Sequence, residues 1–426
     1  MRPEEHELLA RTGAGTPMGG LLRRYWMPAV LSRELEADGA PLRVRLLGED
    51  LIAFRDSKGR VGLLGEHCAH RGASLYFAKN GGEGLSCWYH GWKYDIHGNC
   101  LDQPNEPPQT QFCHKVKQTA YPCVEKNGVV WTYMGPLERK PDFPELEWTL
   151  VPETHVYASK RLQDCHWLQG MEGDLDSSHL NFLHGQETIS ASPSHGKFES
   201  GKWMAADPNP KIEIVQMPGG ILQGARRAAD AENYYWRIGE WFLPCFTTIP
   251  GFPGDAPFGG HAWVPMDDEK TWCFAFSWHP TRPLKESELK GMLTGWGMHS
   301  KLIPGTFLAA HNKSNGYAPP EAPATKQPWQ RVKIFQDQDT AITESIGARY
   351  DRSRESLGNT DALIMQMRRR LMATARALQE GVEPAIAGRD YRMRPYSCLL
   401  PRDTQSWADA VAETLDARPE TYKMSI

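Results

Sequence analysis

The stretch Glu66–Asp95, "EHCAHRGASLYFAKNGGEGLSCWYHGWKYD", decides how the first third of this chain is read. It sets Cys68 and His70 one residue apart and Cys87 and His90 two residues apart, with sixteen residues between the pairs. Each pair stands just before a glycine able to turn the chain, Gly72 or Gly91. Upstream, "PLRVRLLGEDLIAFRDSKGRVGLL" (41–64) partly alternates apolar and polar residues and carries turn signals at Gly48-Glu49-Asp50 and Ser57-Lys58-Gly59. That is the pattern of short strands, and "GVVWTYMG" (128–135) reads as another. Two thiol–imidazole loops on neighbouring turns of a β domain could clamp one metal centre from two sides.

Two thiolates and two imidazoles are a common set for structural zinc. A zinc finger, however, usually pairs Cys with Cys and His with His, whereas each loop here offers one of each. That order suits a [2Fe–2S] cluster with one iron on two thiolates and the other on two imidazoles, the Rieske arrangement. Neutral imidazoles remove negative charge from the cluster and raise its potential. His67 and His97 stand nearby but outside the pattern. The loops "CAHRGASL" and "CWYHGWKYD" resemble the cluster-binding loops of the Rieske ring-hydroxylating oxygenases, with the aromatic-rich second loop of that family.

A second constellation lies about a hundred residues on, in "EGDLDSSHLNFLHG", with Asp176, His179 and His184. The stretch from Cys165 reads as a helix, on which histidines five apart need a kink or widened turn to meet one metal. Two imidazoles and a carboxylate leave open positions on an octahedral iron, the logic of O₂-activating non-haem Fe(II). The segment is similar to the D-x-x-H-x-x-x-x-H motif of the same oxygenases. That resemblance implies that His179 and His184 ligate a mononuclear Fe(II), and that Asp176 bridges an iron-bound histidine to a cluster histidine of a neighbouring subunit. It places the third ligand at the start of a late helix, where Asp361 is the matching residue in "DRSRESLGNTDALIMQMRRRL". Helix capping alone also explains an Asp there. Asp351, Asp339 and Asp337 compete for the role.

The remaining chain fits an α+β protein. Aromatic and β-branched runs between about 197 and 280 suggest antiparallel strands, and "TDALIMQMRRRLMATARALQEG" has helical spacing with Gly381 as a stop. The expected division is a Rieske β domain over 1–140, a catalytic mononuclear iron domain built on a helix-decorated antiparallel sheet over 141–383, and an irregular tail over 384–426. "GTPMGGLLRRYWMPA" and "YDRSRESLGNTD" resemble the phthalate-dioxygenase-like branch, which implies aromatic acids as substrates. A buried Arg suits a carboxylate because its planar fork binds both oxygens. Arg226, Arg227 and Arg237 are candidates, Ser177 could donate to a substrate oxygen, and Trp241, Phe242 or Phe246 could line the ring.

With 426 residues, nine scattered cysteines and a formal net charge of −4, the composition suits a protein kept in a reducing cytoplasm and excludes a basic nucleic-acid-binding surface. No signal-like opening or membrane-length apolar run is visible. The expected role is the terminal oxygenase of a multicomponent system hydroxylating an aromatic substrate with O₂. Electrons would come from NADH through a separate reductase, because no G-x-G-x-x-G fingerprint opens a βαβ unit. The resemblance implies a homotrimer or stacked hexamer. The alternatives are an O- or N-demethylase and, from another class, a non-catalytic Rieske electron carrier.

Overall fold

The computed structural model describes residues 1–185, 200–251, 254–384 and 394–416. Its N-terminal part is built from small antiparallel sheets. Strands β1 (Trp26–Leu31), β10 (Cys123–Lys126) and β11 (Val129–Tyr133) form one, in the order β1-β11-β10. A second joins β2 (Leu42–Leu46), β3 (Glu49–Arg55), β4 (Val61–Gly65) and β9 (Ala120–Tyr121). The third consists of β5 (Lys79–Gly81), β6 (Gly84–Ser86), β7 (Lys93–Tyr94) and β8 (Cys100–Asp102). The two Cys/His loops leave β4 and β6, so the second and third sheets each supply one jaw of the candidate cluster site.

The larger region is one eight-stranded antiparallel sheet. It contains β12 (Val156–Gln163), β13 (Lys211–Gln216), β14 (Gly220–Ala228), β15 (Asn233–Phe242), β16 (Phe246–Ile249), β17 (Phe258–Pro265) and β18 (Thr271–Trp278), in the order β12-β18-β17-β16-β15-β14-β13. The α+β expectation therefore holds. The stretch expected as an irregular tail departs from it, because β19 (Tyr396–Pro401) pairs with the first half of β15. Trp407 then stacks on Trp236 at 5.3 Å. A short strand whose partner lies so far back in the chain carries no local signal. Residues 385–393 and 417–426 of that tail lie outside the described residues.

Helices α1 (Pro3–Ala10), α2 (Pro17–Leu22), α3 (Trp167–Leu175), α4 (Phe335–Ser345) and α5 (Ala362–Gln379) decorate the sheets. The late helix forms as its spacing predicts: Leu363, Met367, Leu371 and Ala375 are buried, and Gly381 at φ +87° ends it. It packs against α2, which ties the chain's beginning to its catalytic half. One apolar core runs through both parts, with Trp131 of β11 stacked at 6.0 Å on both Phe246 and Phe276 of the large sheet. Burying each such aromatic contributes about 1.5–3 kcal/mol, so the two regions are joined by packing as well as by the chain.

Candidate metal centres and substrate cavity

The two Cys/His loops repeat one backbone design. Cys68 N–H donates to Ala73 O and Cys87 N–H to Trp92 O, both at 2.8 Å. Gly72 N–H then returns to Cys68 O at 2.9 Å, and Gly91 N–H to Cys87 O at 2.8 Å. Both glycines hold positive φ, +73° and +78°, which a residue with a Cβ adopts at a cost. At Gly91 a Cβ would also lie 2.5 Å from Pro104, so this turn admits only glycine without displacement.

The design buries Cys68 and Cys87, at 4% exposure each, and leaves His70 and His90 half-buried at the rim. The two imidazoles face each other with centroids 4.6 Å apart, and His70 stacks on Trp92 at 4.2 Å. Tyr94 hydroxyl lies 3.2 Å from Cys68 Sγ. Burial pushes the Cys87 thiol up, and neighbouring Cys68 adds to the shift, so a bound cation is what would hold both as thiolates. Among the described residues, the four side chains do not gather their ligand atoms within 4.8 Å of one another, as a single ion needs. Inner sulfurs, outer imidazoles and this wider spread fit a two-iron cluster better than zinc.

The second site is made where α3 stops. The helix ends at Leu175, and Asp176 turns extended, with Oδ1 accepting from Ser178 N–H and Ser178 Oγ at 2.7 Å each. This Asx turn competes with the helical hydrogen bonds. The stretch expected as one helix ends at Leu175, and the kink that the five-residue spacing calls for takes the form of a break and a 3₁₀ turn over His179–Asn181, which bring the rings of His179 and His184 to 5.1 Å. Higher up, Gly170 lets α3 lie directly on Trp263, since a Cβ there would be 2.1 Å from the indole. Asp174 fastens the helix to the sheet, its Oδ2 accepting from Thr247 Oγ1 at 2.6 Å, His261 Nδ1 at 2.9 Å and Trp263 Nε1 at 2.6 Å.

The third carboxylate at this site is Asp339 on α4. Its Oδ1 lies 3.2 Å from His184 Nε2 and 3.7 Å from His179 Nε2, and the ligand atoms of the three residues all fall within 4.8 Å of one another. Asp361, the position the resemblance pointed to, is elsewhere: it stands at the start of α5, with Oδ2 accepting from Gly358 N–H at 2.7 Å. Asp337 pairs with His311 Nδ1 at 2.6 Å, and Asp351 caps a 3₁₀ turn at Ser353. An Asp at a helix start is explained by capping, whereas Asp339 sits inside a helix, where Asp is a poor former and calls for another reason.

His184 shows what the three residues suit. It is 2% exposed, its Nδ1 is held by Gln338 Oε1 at 2.8 Å, and its ring stacks on Phe335 at 3.4 Å. The Gln338 amide is oriented in turn by donating to Val332 O at 2.9 Å. The proton of His184 is therefore on Nδ1, and its buried Nε2 makes no hydrogen bond despite its nearness to Asp339. A lone pair so placed beside a carboxylate and a second imidazole fits a divalent metal with an oriented outer partner. Burial opposes ionisation of Asp176, but hydrogen bonds from His179 and Ser178 outweigh it and hold the carboxyl below its ordinary value.

The site opens into a cavity of about 700 Å³, counting space at its mouth. Asp176, Ser177, His179 and Asp339 line one side, Trp263, Ile249, Met298 and Phe335 supply apolar surface, and Arg161, Arg237, Gln163 and Gln223 reach in from the sheet. Of the candidates, Ser177 and Arg237 are on this lining. Arg227 is behind it, fully buried and donating to Ser177 O at 2.6 Å, so it positions that serine. Arg226 pairs with Glu213 at 3.6 Å and lies over Tyr234, away from the cavity. Trp241, Phe242 and Phe246 pack in the common core. Arg161, Asp174, His261 and Gln338 were not singled out by sequence reasoning; a lone polar residue in a strand or helix carries no mark of the cavity it will face.

Residues 25–120 match the Rieske [2Fe-2S] domain and residues 132–422 the family described as LigXa C-terminal domain like. Fold and sites together define an electron-transfer domain joined to an oxygenase domain. The chain is 33% identical to the 3-chlorobenzoate-3,4-dioxygenase oxygenase subunit of Comamonas testosteroni, over 97% of this chain and 98% of the relative. It is 33% identical to the phthalate 4,5-dioxygenase oxygenase subunit of Pseudomonas putida, over 91% and 88%. It is also 30% identical to the 5,5'-dehydrodivanillate O-demethylase oxygenase subunit of a Sphingobium species, over 91% and 83%. The chain belongs to the Rieske non-haem iron oxygenases, as an oxygenase (alpha) subunit, and its cofactors are a Rieske [2Fe–2S] cluster and a mononuclear iron. No described helix is long and apolar enough to cross a membrane.

Proposed function

We propose that this chain is the terminal oxygenase that dihydroxylates an aromatic carboxylate with O₂, fed with NADH-derived electrons by a separate reductase. Cys68, His70, Cys87 and His90 hold the [2Fe–2S] cluster, and His179, His184 and Asp339 hold the mononuclear Fe(II). The observation that carries this reading is the clustering of those last three residues, of which His179 and Asp339 line a part-apolar cavity. When bound, the cluster supplies single electrons and the Fe(II) supplies O₂ activation. The chain's own residues do the rest. Gln338 and Asp176 fix the ring orientations of His184 and His179, the apolar lining limits water, and the guanidinium groups on the sheet favour an anionic substrate.

A head-to-tail ring of subunits fits two exposed aromatic spots. Trp88 and Tyr89 project beside His90 at 80% and 57% exposure, and Phe182 projects between His179 and His184 at 75%. On this reading Asp176, whose side chain is 23% exposed, bridges to a neighbour's cluster. The test is turnover of the reconstituted oxygenase with a reductase, NADH and a panel of aromatic acids, recording O₂ uptake. A cis-diol product supports dioxygenation, formaldehyde from a methoxylated acid moves the reading to demethylation, and absence of O₂ uptake with every acid overturns it. Asp176→Asn should retain both metal centres yet slow electron transfer between them by about 10- to 100-fold, and normal turnover would remove its bridging role.

A further inference from the structure

Building on the aromatic-carboxylate reading above, we infer that Arg161 of β12 is the residue that recognises the substrate's carboxylate. Of the other arginines near the site, Arg226 is committed to Glu213 and Arg227 to the backbone of Ser177 and Asp207, while one terminal nitrogen of Arg237 donates to Pro250 O at 2.7 Å. Arg161 lines the cavity at 4% exposure and forms no ion pair among the described residues. None of the nearby carboxylates pairs with it directly: Asp174 accepts from Thr247, His261 and Trp263, Asp176 from Ser178 and His179, Asp339 faces the histidines, and Asp337, whose carboxyl feels the Arg161 charge, is bonded to His311. A buried guanidinium without a direct ion pair is costly, and an anion that pairs with it removes part of that cost.

Its orientation is also set. Thr343 Oγ1 donates to Asp339 O at 2.7 Å and accepts from Gln163 Nε2 at 2.7 Å, which turns Gln163 Oε1 toward Arg161 Nε at 3.3 Å. The Nε–H is thereby used, and the two terminal nitrogens make no hydrogen bond among the described residues. Their paired N–H groups form the fork that meets a carboxylate with two parallel hydrogen bonds. Trp263 lies 5.8 Å from the guanidinium and shields it from water. The same Gln163–Thr343 chain reaches the backbone of Asp339, so the carboxylate anchor and the metal-bearing helix are held in one register. A substrate ring gripped at Arg161 is thus presented to the metal side of the cavity with its acid group directed at the sheet.

The experiment uses the metal-loaded oxygenase under anaerobic conditions, with calorimetric binding of 3-chlorobenzoate and of the neutral 3-chlorobenzamide. Arg161→Gln should weaken acid binding by about 10- to 100-fold and amide binding by less than about three-fold, collapsing the acid/amide ratio, with Arg161→Lys in between. The cluster's visible spectrum and the iron content report whether each variant is intact. Should the Arg161 variants fail to fold, Gln163→Ala serves instead and should lower the same ratio by releasing the guanidinium. An unchanged ratio in both Arg161→Gln and Gln163→Ala, or a ratio erased by Arg237→Gln but not by Arg161→Gln, overturns the assignment to Arg161 alone. A wild-type enzyme that turns over neutral aromatics and binds no acid overturns the carboxylate reading and this inference with it.

Discussion

The Cys68–His90 loops and the Asp176–Asp339 site each bring a pair of histidines together, but they are assembled differently. The first takes all four candidate ligands from residues 68 to 90, in two loops with matched backbone hydrogen bonds and matched positive-φ glycines. The second takes two histidines from a broken helix and its carboxylate from a helix that starts at Phe335. Loops that carry their own turn geometry can be recognised from residue order. A site closed by the docking of two distant elements depends on packing: α3 is seated on Trp263 through Gly170 and fastened by Asp174, while Thr343 and Gln163 tie α4 to β12.

The sharpest way to break this contrast is to empty one centre and watch the other. Cys87→Ser should abolish the cluster's visible absorbance and acid-labile sulfide and stop turnover, while the mononuclear iron stays bound; loss of both metals would mean that the sites are not built independently. Asp339→Ala should do the converse, losing the mononuclear iron and all O₂ uptake while keeping the cluster spectrum. A graded effect is expected from Gln338→Leu, which frees the His184 ring and should lower iron affinity by about 10- to 100-fold in a chelator competition. Asp361→Ala should keep its iron and cost about 1 kcal/mol of stability to urea, the loss of one hydrogen bond to Gly358. Iron loss there would return the third ligand to α5 and undo the comparison.

The last effect separates fold from metal. His299 is fully buried between Ser159 Oγ at 2.6 Å and Ser277 Oγ at 3.0 Å, outside both centres. Burial, helped by neighbouring His261 and Arg161, pushes its pKa down to about 3. In the unfolded chain the imidazole takes a proton below about pH 6.5, while in the folded protein it stays neutral until far lower. Unfolding therefore gains protons as pH falls, and stability drops by up to about 1.4 kcal/mol per pH unit below that point. His299→Gln should flatten the fall measured by urea unfolding between pH 6.5 and 5 by roughly that slope. An unchanged slope would assign the acid sensitivity to other groups.

Which parts of this were legible beforehand follows the same division. Residue order alone identified the four cluster candidates, because C-x-H and C-x-x-H loops with a turning glycine encode their geometry within a few residues. His179 and His184 stood out through the likeness of their segment to the oxygenase motif, whereas the amphipathic late helix showed itself in its spacing. The third ligand was expected at Asp361 because the helix-start Asp361 and the mid-helix Asp339 are both acids on late helices, and only the fold shows that Asp339 is the one facing the histidines. Arg161, Arg226 and Arg227 were equally opaque. Strand alternation gives each residue a face, but which face borders the cavity depends on where α3 and α4 dock. Short-range stereochemistry is written in consecutive residues, whereas the cavity and its third ligand arise from long-range packing, which no local pattern contains.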